Sequence, residues 1–161
     1  MVHNFLPWHG HHIPMDNDRI ILDWRDVHDD AGRWFERWDY NVALYAILHP
    51  SRDEILYLGK VDGCTVRTRW NADDKRERVW RRIEEELGLF KHVFIVGEFR
   101  LPDGQRLTRE LVCDVESLLI HQIKPWANSR NAKSRGQYSR AGMLLYCQGH
   151  WPLRRKTFRD E

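Results

Sequence analysis

Apolar residues fill both alternating faces of Val42–Leu48, and this pattern predicts a strand in the middle of a sheet. A Pro/Ser/Asp cluster separates it from a second apolar run, residues 54–59, so the pair predicts a β-hairpin. If the loop is centred on Ser51, Tyr45 lies directly opposite Tyr57 on one face of the sheet. Aromatic packing is the more common reason for such a pair, and the hairpin alone does not indicate a function.

Two amphipathic helices are predicted farther along the chain, over residues 75–87 and from Thr108 to Lys124. The first helix has arginines early and glutamates late, which opposes the helix dipole. Its Arg face is therefore either a solvated surface or the site of an external partner. The apolar stripes consist of Val79, Trp80, Ile83 and Leu87 in the first helix, and of Leu111, Val115, Leu118, Leu119 and Ile123 in the second.

The elements together predict an α+β fold, a small and mainly antiparallel three-stranded sheet flanked by helices. Its middle strand is the first one, Val42–Leu48, and residues 92–99 supply the third. Residues 1–40 are interpreted as an acidic accessory segment and 41–130 as the domain itself. Residues 131–161 form a basic extension, packed on the domain or trailing from it. The remaining candidates are short strands at 19–24 and 143–147, helices at 32–38 and 64–70, and a flexible tail around Arg154.

Composition restricts the classes of protein. The 161 residues suit one domain, and no apolar run approaches a membrane span or a secretory signal. Three cysteines without pairing spacing favour a reducing, cytoplasmic setting. Residues 125–161 carry eight Lys/Arg against two Asp/Glu, and a basic region of this kind suits a polyanion or simply a solvated surface.

Five features follow one another in the chain: Ala43-Leu44-Tyr45, Tyr57-Leu58-Gly59 with Lys60, Arg67, Glu116, and Lys124-Pro125-Trp126-Ala127-Asn128. In their order and spacing they resemble the GIY-YIG nuclease family, over about residues 42–130. Ala43 and Leu44 replace the Gly and Ile of the first triad and keep small or aliphatic side chains. Asn71 stands where many members have Tyr or His, and an amide cannot act as a general base.

The resemblance implies a metal-dependent DNA endonuclease that hydrolyses phosphodiester bonds and leaves 5′-phosphate ends. Glu116 would hold one Mg²⁺ or Mn²⁺ ion per active site, since Mg²⁺ typically takes one or two carboxylates. Arg67 would grip the scissile phosphate, and Tyr45 would orient or deprotonate the attacking water if a cation such as Lys60 lowered its pKa from about 10. The implied catalytic set is Tyr45, Tyr57, Lys60, Arg67, Glu116 and Asn128, with Tyr57 orienting water or phosphate and Asn128 tying the helix end to the site.

DNA is the expected partner, RNA is a second candidate, and no membrane partner is expected. Cutting both strands of a duplex would require a homodimer or two encounters. The rival functions are an inactive nucleic-acid-binding module, a single-strand nuclease of the same fold and, more distantly, a zinc-binding protein built on His9, His11 and His12. The predicted nucleic-acid contacts are Arg69, Arg76, Arg81, Arg130, Lys133 and Arg135.

Overall fold

A computed structural model of the chain describes residues 19–27, 42–71, 73–91, 93–128 and 142–160. A single mixed sheet of six strands, curled into a half-barrel, dominates this part of the chain. The strands are β1 (Arg19–Asp26), β2 (Val42–Leu48), β3 (Ile55–Asp62), β4 (Val93–Arg100), β5 (Leu144–Gly149) and β6 (Thr157–Arg159). The helices are α1 (Val66–Asn71), α2 (Asp73–Leu87) and α3 (Arg109–Ile123), followed by a 3-10 turn at Trp126–Asn128.

The strand order is β3-β2-β4-β1-β5-β6. All neighbours pair antiparallel except β1 and β5, which are parallel. The sheet therefore joins strands from both ends of the described chain, because β1 lies between β4 and β5. At the other edge, β3 has a strand neighbour on one side only.

The predicted three-stranded sheet flanked by helices is wrong. The sheet has twice that number of strands, and among the described residues only α2 and α3 are longer than two turns. The cause is the pairing of β1 with the free edge of β4, which then carries β5 and β6. The predicted flexible tail is also corrected, because Phe158 in β6 is buried.

The two faces of the sheet are covered by different helices. On one face α3 packs with Leu44, Leu58 and Trp24 in one apolar cluster. On the opposite face Ile83 of α2 packs with Tyr45 and Val96 in a second cluster. Because β2 is apolar on both faces, it contributes to both clusters.

Local signals explain where the helices begin and end. Thr108 caps α3 by accepting a hydrogen bond from the backbone N–H of Leu111, at 3.2 Å. Lys124, in the left-handed region with φ 55°, closes the other end before Pro125. Most of the predicted apolar stripes are covered, but Leu87 at the end of α2 remains 38% exposed.

None of the described helices is long and apolar enough to cross a membrane. Cys64, Cys113 and Cys147 are free thiols. Two earlier predictions, the helix over residues 32–38 and the basic loop at 129–141, lie outside the described residues, as do His9, His11 and His12.

Candidate active site

The β2–β3 hairpin positions the two phenols, although not in the predicted register. Tyr45 pairs with Gly59, and Tyr57 pairs with Ile47. The turn closes between His49 and Glu54, and an irregularity next to Leu48 adds one residue on β3. The predicted register was wrong by two positions, which preserves the face, so the two rings remain diagonal neighbours with centroids 5.9 Å apart.

Gly59 makes room for Tyr45 to lie across β3. A Cβ atom at Gly59 would be 2.7 Å from both Cζ and Oη of Tyr45, and 3.0 Å from Cε1 of Tyr57. The Tyr45 ring is held from the other side by Phe94, with centroids 5.4 Å apart and planes 16° apart. The phenol is thus fixed between a neighbouring ring and a strand position that must lack a side chain.

Burial is the main cause that raises the pKa of Tyr45 well above its ordinary value of 10.0. The hydrogen bond between the two hydroxyls raises the pKa of Tyr45 and lowers that of Tyr57, as expected when Tyr45 donates. Burial nevertheless leaves the pKa of Tyr57 raised as well. Both phenols are therefore protonated at neutral pH and can orient water or phosphate, but Tyr45 is poorly suited to deprotonating water.

Lys60 and Glu116 meet on the α3 side of β3. The ammonium of Lys60 lies 3.7 Å from Oε2 of Glu116 and donates a hydrogen bond to Sγ of Cys113. Burial works to lower the pKa of Lys60, but the hydrogen bond to Cys113 and the negative charge of Glu116 outweigh it, so the net pKa is raised. Lys60 is therefore a firmly protonated cation beside the carboxylate.

The phenols and the carboxylate approach β3 from opposite faces. Tyr57 packs in the α2-side cluster, whereas Leu58, one residue on, packs in the α3-side cluster. The negative charge of Glu116 nevertheless raises the pKa of both Tyr45 and Tyr57, which places it within electrostatic reach of them. The candidate site is thus wrapped around an edge strand instead of lying on one face of the sheet.

Asn128 occupies that edge. Its Nδ2 donates to the carbonyl of Leu58 at 2.7 Å, and its Oδ1 accepts from the Leu58 N–H at 2.8 Å. A side-chain amide offers one donor and one acceptor, the same pair that a neighbouring strand would present. Asn128 is 7% exposed, and its two bonds hold the 3-10 turn against β3. These are the contacts of a positioning residue.

Arg69 is the described arginine that reaches the phenols. Its positive charge works to lower the pKa of Tyr45 and of Tyr57. It lies in the last turn of α1, a helix that Thr65 caps by accepting from the N–H of Thr68. Arg67 lies on the same helix, but its side chain is outside the described part of the structure, and its role stays a prediction.

Of the other predicted nucleic-acid contacts, Arg81 is exposed on α2. Arg76 belongs to the same helix, but its side chain is not among those described. Arg130, Lys133 and Arg135 lie outside the described residues.

Sequence reasoning gave Cys113 no place in the site and gave Arg69 only a DNA contact. Cys113 precedes Glu116 by one helical turn, so helical periodicity alone places both on the same face of α3. Nothing in the local pattern shows that Lys60 reaches this face, because that depends on how β3 packs on α3.

One carboxylate is a thin ligand set for a metal ion. Among the described residues, no group of three or more His, Cys, Asp or Glu is arranged to hold one. The carboxylate of Glu116 is 19% exposed, and Mg²⁺ accepts such a set when water and substrate phosphate complete its shell. The site therefore fits a single Mg²⁺ or Mn²⁺ ion held jointly by Glu116 and a nucleic-acid phosphate.

No protein-family model matches the chain, and no curated protein or solved structure matches it either.

Proposed function

We propose that the protein is a metal-dependent DNA endonuclease of the GIY-YIG type. The observation that carries the proposal is the convergence at β3 of two phenols, a lysine and a carboxylate from distant parts of the chain. Charge of both signs beside hydroxyl groups suits the hydrolysis of a phosphodiester, which needs a positioned water and stabilisation of negative charge.

Glu116 would hold the Mg²⁺ ion, whose charge offsets the negative charge that develops on the phosphoryl oxygens. Lys60 and Arg69 add positive charge close to the same phosphate, as would Arg67 according to the resemblance. Tyr57, the more exposed of the two phenols, orients the attacking water through its hydroxyl. In the reaction the water oxygen bonds to phosphorus as the bond to the 3′ oxygen breaks, which leaves a 5′ phosphate and a 3′ hydroxyl.

The test is nicking of supercoiled plasmid in Mg²⁺, comparing the wild type with Glu116→Ala. We expect the variant to lose roughly 10²-fold or more in rate. Glu110→Ala is a matched control, because Glu110 lies on the same helix in its exposed first turn. We expect this control to keep its activity. A DNA ligase should reseal the nicks if they carry 5′ phosphates, and chelation of Mg²⁺ should stop cleavage.

A nucleic-acid-binding module without turnover is the second candidate. The contact between Lys60 and Glu116 favours it, because an ammonium 3.7 Å from the carboxylate competes with a metal ion. Wild-type protein that binds DNA without cleaving it would support this candidate over the nuclease. Duplex DNA, single-stranded DNA and RNA are compared in the same assay, so a single-strand or RNA preference appears as a difference in rate.

A further inference from the structure

The exposed surface of α2 has its charges separated along the helix. Arg78, Arg81 and Arg82 come first, and Glu84, Glu85 and Glu86 follow within the next turn. The last turn contains no basic residue. This arrangement puts positive side chains towards the positive end of the helix dipole and negative ones at its negative end, which is unfavourable for the helix alone. The ion pair between Arg82 and Glu86 offsets only part of it.

Exposed apolar side chains adjoin the acidic end of α2. Leu87 belongs to the apolar stripe predicted to be buried, yet it is 38% exposed. Phe90, three residues farther along, is 79% exposed. A Phe this exposed, next to a Leu and a run of carboxylates, is a common composition for a protein–protein contact.

We propose that α2 is the interface of a homodimer, in which two copies of the helix lie antiparallel across a two-fold axis near residue 83. The basic and acidic groups are about one turn apart, or roughly 6–8 Å at 1.5 Å per residue. Reversing the helix about a point between them therefore brings each arginine group opposite a glutamate group. Arg81 and Glu85 lie one turn apart on the same exposed ridge, so each faces the other residue type in the second copy.

A second copy of this chain fits the surface better than nucleic acid does. The six charged residues of the exposed face comprise three arginines and three glutamates, so they sum to zero. A phosphate backbone laid along this helix would meet the glutamates as well as the arginines. An antiparallel copy satisfies both groups and also opposes the two helix dipoles. This inference goes beyond the nuclease proposal and does not depend on it.

The experiment is sedimentation of the full chain over a concentration series up to roughly 100 μM, since small charged interfaces give weak dimers. We expect the wild type to dimerise and the dimer to weaken as salt rises. Arg81→Glu and Glu85→Arg each place like charges opposite one another twice, so each should raise the dissociation constant roughly tenfold or more.

Mixing the two variants is the decisive measurement. A heterodimer of Arg81→Glu with Glu85→Arg restores both opposite-charge pairs, so the mixture should dimerise as the wild type does. A folding defect in either variant could not be repaired in this way. Arg106→Glu, at an exposed loop position, is the matched control and should leave dimerisation unchanged. Phe90→Ser should weaken the dimer without altering the fold.

Three results would overturn the proposal. One is a wild type that stays monomeric over the whole series. Another is a mixture that dimerises no better than its components. The third is an Arg81→Glu variant that loses nucleic-acid binding while its mass in solution stays that of the wild type, which would assign the helix to nucleic acid.

Discussion

Gly59→Ala is expected to disrupt the candidate site through a single methyl group. The added Cβ would lie 2.7 Å from Cζ and Oη of Tyr45, closer than such atoms approach in proteins. Tyr45 cannot easily retreat, because it is 3% exposed and stacked on Phe94. Overpacking of this kind costs about 1–3 kcal/mol in the free energy of unfolding. For a chain of this size each kcal/mol lowers Tm by roughly 2–4 °C.

Thermal and urea denaturation measure that loss, and a double-mutant cycle with Tyr45→Ala assigns it. Once the Tyr45 ring is removed, the nearest remaining contact is Tyr57 at 3.0 Å, and this side chain is partly exposed and can move. Gly59→Ala should then cost nothing, or stabilise by roughly 0.4–1 kcal/mol, because alanine restricts the unfolded chain. The sign of the effect therefore reverses between the two backgrounds.

Activity provides the second readout for Gly59→Ala. A displacement of about 1 Å in a catalytic group can cost roughly 10²-fold in rate, so nicking should fall by about that factor even at temperatures where the variant is folded. A Gly59→Ala protein with wild-type Tm would refute the steric argument, and so would an equal loss of stability in the Tyr45→Ala background.

Three further predictions concern pH, hydrogen bonding and thiol access. Because the pKa of Tyr45 is raised in the folded state, its contribution to stability is complete below 10.0 and is lost as pH rises above that value; Tm measured from pH 8 to 11 should fall less steeply for Tyr45→Phe, and an unchanged slope would contradict this. Asn128→Ala leaves two backbone groups of Leu58 without their partner, so unfolding by urea should show a loss of about 2–4 kcal/mol, and a loss below about 0.5 kcal/mol would count against the bond. Burial raises the pKa of Cys147 to about 12, so an alkylating reagent should label it only after unfolding, whereas rapid labelling of native protein, mapped by mass spectrometry, would disprove its burial.

The elements of the fold could be predicted because their signals are local. Val42–Leu48 has the predicted bounds, and Thr108 caps α3 as its position before an apolar periodic run indicated. The assembly of the sheet could not be predicted in the same way. The parallel pairing of β1 with β5 depends on segments more than a hundred residues apart, and short strands near both ends of a chain give no local sign of a shared partner.

The candidate site divides along the same line. The identities of Tyr45, Tyr57 and Glu116 were suggested by spacing, whereas their geometry depends on backbone detail. The additional residue on β3 near Leu56 moves the register of the hairpin, and no turn signal in the sequence indicates it. The contact of Lys60 with Cys113 likewise depends on tertiary packing, which spacing does not reveal.

The position of β1 has a consequence for how the chain folds as it is made. β1 is the first of the six strands to be synthesised, yet both of its neighbours, β4 and β5, come after it. At roughly 5–20 residues per second, Leu22 and Trp24 wait several seconds for β4 and longer for β5. Until then these two side chains, fully buried in the finished protein, are exposed on the nascent polypeptide and available to chaperones.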